Sequence, residues 1–203
     1  MSLHADVTGV ILAGGLATRM GGVDKGALAL GSDASDTPAA RTLELFATRF
    51  PACVIVGASA GTAPWRQGAP DLVYVTDIMT GCGPLGGIHA ALGVVPTPFA
   101  FVCGCDMPSL SGPLIDLMAR RARPGRLLVP VRGGMPEPLH AIYPASCLPA
   151  VESALKEGTR KMSVFFEKVP VDYLLETDYA GVPGALRSFD NINTPEDLAR
   201  LRP

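Results

Sequence analysis

Apolar positions recur along this chain in two rhythms. Short, largely apolar runs at residues 7–12, 53–56, 72–76 and 99–104, several of them rich in β-branched side chains, predict buried strands. Between them the spacing lengthens. Residues 39–50 place Leu43, Leu45, Phe46 and Phe50 at roughly helical intervals before Pro51 stops the run, and residues 85–92 predict a second helix. The pattern continues with a helix over 110–121, a strand over 126–131, a loop at 133–138, a strand over 139–143 and a helix over 146–157. Near the end, Thr194-Pro195-Glu196-Asp197 combines a capping residue, a proline suited to a first helical position and acids in the first turn, which predicts a closing helix. Residues 31–37, Gly-Ser-Asp-Ala-Ser-Asp-Thr, are polar and turn-rich and predict a mobile loop.

Strands that alternate with helices imply right-handed crossovers and an α/β architecture. The expected fold is a Rossmann-like three-layer sandwich with a mostly parallel central sheet, whose ligands collect beyond the carboxyl ends of the strands. At 203 residues and 48% hydrophobic composition the chain can bury a full core, and a single domain over 1–203 accounts for it. The formal net charge of -2 lacks the broad positive field that supports nonspecific nucleic-acid binding, so DNA and RNA are not expected partners. Neither a charged segment followed by an apolar signal core nor a run of 18 apolar residues occurs, so the protein is expected to be soluble and cytoplasmic, without membrane contact. The five cysteines, Cys53, Cys82, Cys103, Cys105 and Cys147, form no C-x-x-C pair and read as reduced thiols used in packing.

Candidate chemistry gathers at the predicted strand ends. The first strand runs into Gly14 and Gly15, then Arg19, Gly21, Gly22 and Lys25, a loop able to present backbone N–H groups and two cations to a phosphate. Its spacing matches neither the P-loop nor Gly-x-Gly-x-x-Gly, so it belongs to another nucleotide-binding class. Asp77 follows the third strand, ahead of a second glycine-rich turn, Gly81-Cys-Gly-Pro-Leu-Gly-Gly87, that leads into a helix N-terminus. Asp106 follows the fourth, in Gly104-Cys105-Asp106-Met107-Pro108. A carboxylate there suits magnesium, which takes few protein ligands and completes its shell with water and phosphate oxygens; a turn former before the next helix is the plainer alternative.

Leu12-Ala-Gly-Gly-x-x-x-Arg19-Met20-Gly21-x-x-Asp24-Lys25, Gly83-Pro-Leu-Gly-Gly87, Cys105-Asp106-Met107-Pro108, Pro138-Leu139-His140-Ala141-Ile142-Tyr143, Gly158-Thr-Arg160-Lys161 and Asn191-Ile-Asn193-Thr-Pro-Glu196 together resemble the molybdenum cofactor guanylyltransferases, the MobA family, over nearly the whole chain. The resemblance implies transfer of GMP from GTP to the terminal phosphate of the molybdenum-bearing pterin, with release of pyrophosphate. It also implies that the nucleotide is held by Leu12, Ala13, Gly14, Gly15, Lys25, Asp77 and Asp106, within a part spanning about residues 1–110. Arg19 and Lys25 would offset the pyrophosphate charge and Asp106 would carry Mg2+, while His140, Arg160, Lys161, Asn191 and Asn193 would border the pterin, within a part spanning about 111–203. GTP, a molybdopterin-type acceptor and cofactor-delivery proteins are the partners so implied.

Two departures from the family pattern stand out. Val54-Ile-Val-Gly57-Ala-Ser59 lacks the asparagine that usually follows the second strand, and residues 31–38 add polar positions after Lys25. Two other readings remain open at this stage: a related nucleotidyltransferase using CTP or another nucleotide with a pterin, sugar phosphate or other small acceptor, and a noncatalytic GTP-binding adaptor in cofactor delivery.

Overall fold

The structure, a computed structural model, describes residues 2–13, 37–57, 72–76, 82–192 and 197. Eight strands among the described residues form one mixed sheet: β1 (Val7–Leu12), β2 (Cys53–Val56), β3 (Leu72–Val75), β4 (Phe99–Gly104), β5 (Leu127–Arg132), β6 (Met135–Pro136), β7 (His140–Pro144) and β8 (Val171–Leu174). They lie in the order β3-β2-β1-β4-β7-β5-β6, with β8 also on β5. Pairs β1–β2, β1–β4, β2–β3 and β5–β8 are parallel, whereas β7 runs antiparallel to both β4 and β5, and β6 folds back on β5.

Helices cover both faces. Alternate strand residues point to opposite sides, so Ile11, Ile55, Phe101 and Ile142 pack with α1 (Pro38–Ala47) and α3 (Gly112–Arg121), through Leu43, Phe46, Leu114 and Met118. On the other face Val10, Val54, Val102 and Tyr143 meet α2 (Gly83–Leu92) and α4 (Leu148–Lys156), together with Phe165 and Phe166 of the short α5 (Met162–Phe166). This is the three-layer α/β sandwich expected from the alternation of elements.

β1, β2 and β4 match their predicted bounds, while β3 ends one residue early at Val75 and α1 covers Pro38–Ala47 in place of 39–50; the other differences lie mostly downstream. The helix expected over 110–121 begins at Gly112, because Ser111 caps it and Pro113 occupies its first turn. The helix expected over 146–157 starts as a 3-10 turn, Ala145–Cys147, before α4, which ends where Gly158 takes a φ of 77°. β8, α5, α6 (Glu176–Tyr179) and a 3-10 turn, Ala185–Phe189, occupy a stretch for which periodicity gives no element. The polar stretch 31–36 and all of the predicted closing helix except Asp197 lie outside the described residues.

Cys53, Cys103 and Cys147 are buried, and burial pushes the Cys147 thiol up to about 12 and the Cys103 thiol well above its ordinary value. Such thiols stay protonated and act as packing groups. Among the described residues no helix is long and apolar enough to cross a membrane.

Candidate active site at the carboxyl rim of the sheet

The ends of β1 and β4 meet on one rim. Leu12 sits opposite Gly104 in the parallel register, and the next residue, Cys105, donates its N–H to the Leu12 carbonyl at 3.1 Å. Ala13 donates its N–H to Val56 at 2.8 Å, so the last residues of β1 are held from both sides. The turn that carries Asp106 is therefore tied directly to the strand that leads into the glycine-rich loop.

Asp106 is half-buried, between buried Gly104 and buried Met107. A Cβ at position 104 would lie 2.6 Å from the Asp106 carboxylate oxygen Oδ1, so the glycine makes the room that the carboxylate occupies. The Asp106 carbonyl accepts the N–H of Ile192 at 2.9 Å, which brings the segment holding exposed Asn191 against the same turn. α2 opens close by: a Cβ on Gly87 would meet the Leu12 side chain at 3.2 Å. Among the described residues no side chain caps the first turn of α2.

Of the residues singled out from sequence, Leu12, Ala13, Asp106 and Asn191 are thus brought together. Gly14, Gly15, Arg19, Lys25, Asp77 and Asn193 lie outside the described residues. Arg160 and Lys161 are exposed between α4 and α5, on the face of the sheet that α2 covers. Gly57, where an asparagine would be usual, has a φ of 91° and donates its N–H to Val75 at 2.9 Å. That left-handed turn favours glycine over any residue with a Cβ.

His140 requires a correction. Its resemblance-based place is beside the acceptor, yet its ring is fully buried, with Phe101 at 5.1 Å and Phe189 at 4.6 Å between ring centroids. A ring with no exposed surface offers an acceptor nothing to touch. Its Nε2 instead shares a 2.7 Å hydrogen bond with Ser188 Oγ, and desolvation lowers its pKa to about 4, so it is neutral at pH 7.

Sequence reasoning missed the polar groups around this pair. Ser188 Oγ also accepts the N–H of Ser111 at 2.8 Å, and Ser111 Oγ donates to the Pro183 carbonyl at 2.6 Å. Arg132, at the end of β5, donates to Asp190 at 2.8 Å with its guanidinium 5.8 Å from the Phe189 ring centroid. Glu137 is half-buried nearby; burial raises its carboxyl pKa and the Arg132 charge opposes the rise. Only the neighbouring Asn191 motif could have drawn attention to Asp190.

A carboxylate on a turn stitched to the end of β1, at the crest of a mostly parallel sheet, lies where α/β folds of this kind gather their ligands. The chain belongs to the family of the MobA-like NTP transferase domain, whose model matches residues 9–171. It is 35% identical to a probable molybdenum cofactor guanylyltransferase of Pelotomaculum thermopropionicum, covering 96% of this chain and 91% of that one. It is also 35% identical to a molybdenum cofactor guanylyltransferase of Mesorhizobium japonicum, covering 98% and 95%. Among solved structures, molybdopterin-guanine dinucleotide biosynthesis protein A of Archaeoglobus fulgidus superposes with a TM-score of 0.76 at 28% identity, covering 96% of each chain.

Proposed function

We propose that this nucleotidyltransferase moves GMP from GTP to the phosphate of the molybdopterin-bound molybdenum cofactor, forming the guanine dinucleotide cofactor and pyrophosphate. The observation that supports this most is the bond from Cys105 N–H to the Leu12 carbonyl, which sets Asp106 beside the strand entering the glycine loop, in a chain alike over nearly its full length to guanylyltransferases. An acceptor phosphate oxygen attacks the α-phosphorus in line, the bond from that phosphorus to the bridging oxygen breaks, and pyrophosphate leaves with the electron pair. Two anions must be brought together for this. Positioning and charge neutralisation therefore supply most of the rate, and no covalent nucleophile is required.

In this reading the backbone of Leu12, Ala13, Gly14 and Gly15 holds the nucleotide, with Asp77 at its pocket, while Arg19 and Lys25 balance the pyrophosphate charge. Asn191, Asn193, Arg160 and Lys161 face the acceptor. Asp106 fits Mg2+: its carboxylate is a hard oxygen donor in the space left by Gly104, and no cluster of three His, Cys, Asp or Glu among the described residues forms an all-protein cage. Bound there, the metal would neutralise charge developing on the phosphates. The residues themselves orient the α-phosphate and hold the acceptor in line with it. We place the reaction in the cytoplasm, with cofactor-delivery proteins as further partners and one domain carrying both substrate sites.

The test is pyrophosphate release from each of GTP, CTP, ATP and UTP with Mg2+, with and without the molybdopterin acceptor. Release from GTP alone, dependent on the pterin, is expected. Asp106→Ala should cut turnover on the order of a thousandfold while GTP affinity falls far less; unchanged turnover in that variant would refute the assignment.

A further inference from the structure

Residues 188–192 cross the rim as a strap that is tied down along its length. Ser188 Oγ is bonded to Ser111 N–H and to His140 Nε2, at 2.8 and 2.7 Å. Phe189 is in contact with both the His140 ring and the Arg132 guanidinium, and Asp190 accepts from Arg132 at 2.8 Å. Ile192 then donates its N–H to the Asp106 carbonyl at 2.9 Å. Two residues span at most about 7 Å of chain, so the Arg132–Asp190 pair holds the strap within that reach of Ile192.

We infer that residues 188–192 are a positioning strap for Asp106 and Asn191, pinned by the His140–Ser188 and Arg132–Asp190 pairs. The inference rests on the reading of Asp106 as the working carboxylate. A hydrogen bond to the carbonyl of Asp106 holds the Asp106–Met107 peptide plane, and so restricts the backbone from which the carboxylate is carried. An error of about 1 Å in such a group costs far more in rate than in stability. Both pins make better sense as orienting devices than as sources of stability. Arg132 and Asp190 have side chains 39% and 47% exposed, a setting in which ion pairs add little to folding. His140 and Ser188 are fully buried, where an apolar pair would fill space equally well, but only a directional bond fixes the rotation of the turn Ala185–Phe189. Arg132, Ser188 and His140 are thus positioning residues, acting through the strap.

The full-length protein carrying Arg132→Ala, Ser188→Ala or His140→Gln tests this through three readouts. These are hydrogen exchange at the Ile192 amide, the Mn2+ concentration that half-saturates the GTP-loaded protein, and the split between kcat and the KM values for GTP and acceptor. Arg132→Ala removes a half-buried side chain that lies outside the apolar core, so it keeps the test valid even if Ser188→Ala folds poorly. We expect Arg132→Ala and Ser188→Ala to speed Ile192 exchange by about tenfold or more, with kcat down and the Mn2+ midpoint up by about tenfold and the KM for GTP unchanged. His140→Gln, whose amide can still reach Ser188 Oγ, should retain most of kcat. If Ile192 exchange is unmoved in both alanine variants, or rises while kcat and the Mn2+ midpoint stay as in the parent, the strap does not position Asp106. A parent protein that binds GTP yet releases no pyrophosphate with any acceptor sinks the functional reading and this inference with it. An active parent with indifferent variants sinks this inference alone.

Discussion

The two flanks of the sheet share an apolar core and differ in what is added to it. On one flank β1 and β2 are buried along their whole length, and Phe46, Phe50 and Phe101 pack around them with ring centroids 5.1 to 6.1 Å apart. On the other, side-chain hydrogen bonds are added to the apolar contacts of β5 and β7. Tyr143 Oη donates to the Pro138 carbonyl at 2.9 Å, Tyr179 Oη to the Val131 carbonyl at 2.7 Å, and His140 is bonded to Ser188. Apolar contact has no preferred direction, so it sets the distance between layers without choosing which atom faces which. A hydrogen bond chooses the atom and the angle. The rim thus takes the place of Leu12 from the apolar flank and the orientation of the 188–192 strap from the polar one.

The sharpest way to separate the flanks is pH. The unfolded chain protonates a histidine near 6.5, whereas buried His140 resists the proton until about pH 4. Because its folded pKa is depressed, the stability gained by keeping it neutral is complete above about pH 6.5. That stability drains away as pH falls through the window from 6.5 to 4, amounting to roughly 3 kcal/mol. Urea unfolding at pH 7 and pH 4.5 should show this loss in the parent protein and most of it missing in His140→Gln. Equal slopes in the two proteins would mean that the ring is not sealed off.

The apolar flank should answer to volume and not to pH. A Cβ on Gly9 would run into the Phe46 ring and sit 2.8 Å from the Phe50 ring, both of them buried. Gly9→Ala should therefore cost about 2 kcal/mol by overpacking, with the parent's pH slope retained. A neutral Gly9→Ala would show the aromatic cluster to be looser than its contacts indicate.

The same contrast explains how much was legible in the sequence. Val7–Leu12, Cys53–Val56 and Phe99–Gly104 emerge at their predicted bounds because a strand buried on both faces needs a largely apolar run, and such a run is visible locally. The strand-end rule then pointed to Asp106, on the turn that Cys105 ties to Leu12. β8 and α6 left no such trace. They are four residues each and exist because β8 pairs with β5 and Glu176 accepts the N–H of Gly133. The strap pins were hidden for a related reason: Ser188 meets His140 and Ser111 across 48 and 77 positions, and Asp190 meets Arg132 across 58. A hydrogen bond between residues so far apart imposes no periodicity on either neighbourhood. Burial likewise depends on the assembled layers, which is why the resemblance placed His140 at a surface that the packed fold denies it.

The finest test compares two helix caps of nearly equal burial, Thr37 at 3% and Ser111 at 5% exposure. Thr37 Oγ1 accepts the N–H of Ala40 at 3.1 Å, and no more than the start of α1 depends on that bond. Ser111 Oγ accepts the N–H of Leu114 at 3.2 Å and also donates to Pro183, while the Ser111 backbone reaches Ser188. Thr37→Ala should cost about 1 kcal/mol, the ordinary value of a cap. Ser111→Ala loses the cap and a second, long-range bond, and should cost about 2 kcal/mol. The measurement is the difference of about 1 kcal/mol in urea unfolding, read with Ile192 amide exchange, which only Ser111→Ala should accelerate. Were both substitutions equal in cost and silent at Ile192, the polar joints would serve stability alone, and the orientation of the rim would have to come from apolar packing on both flanks.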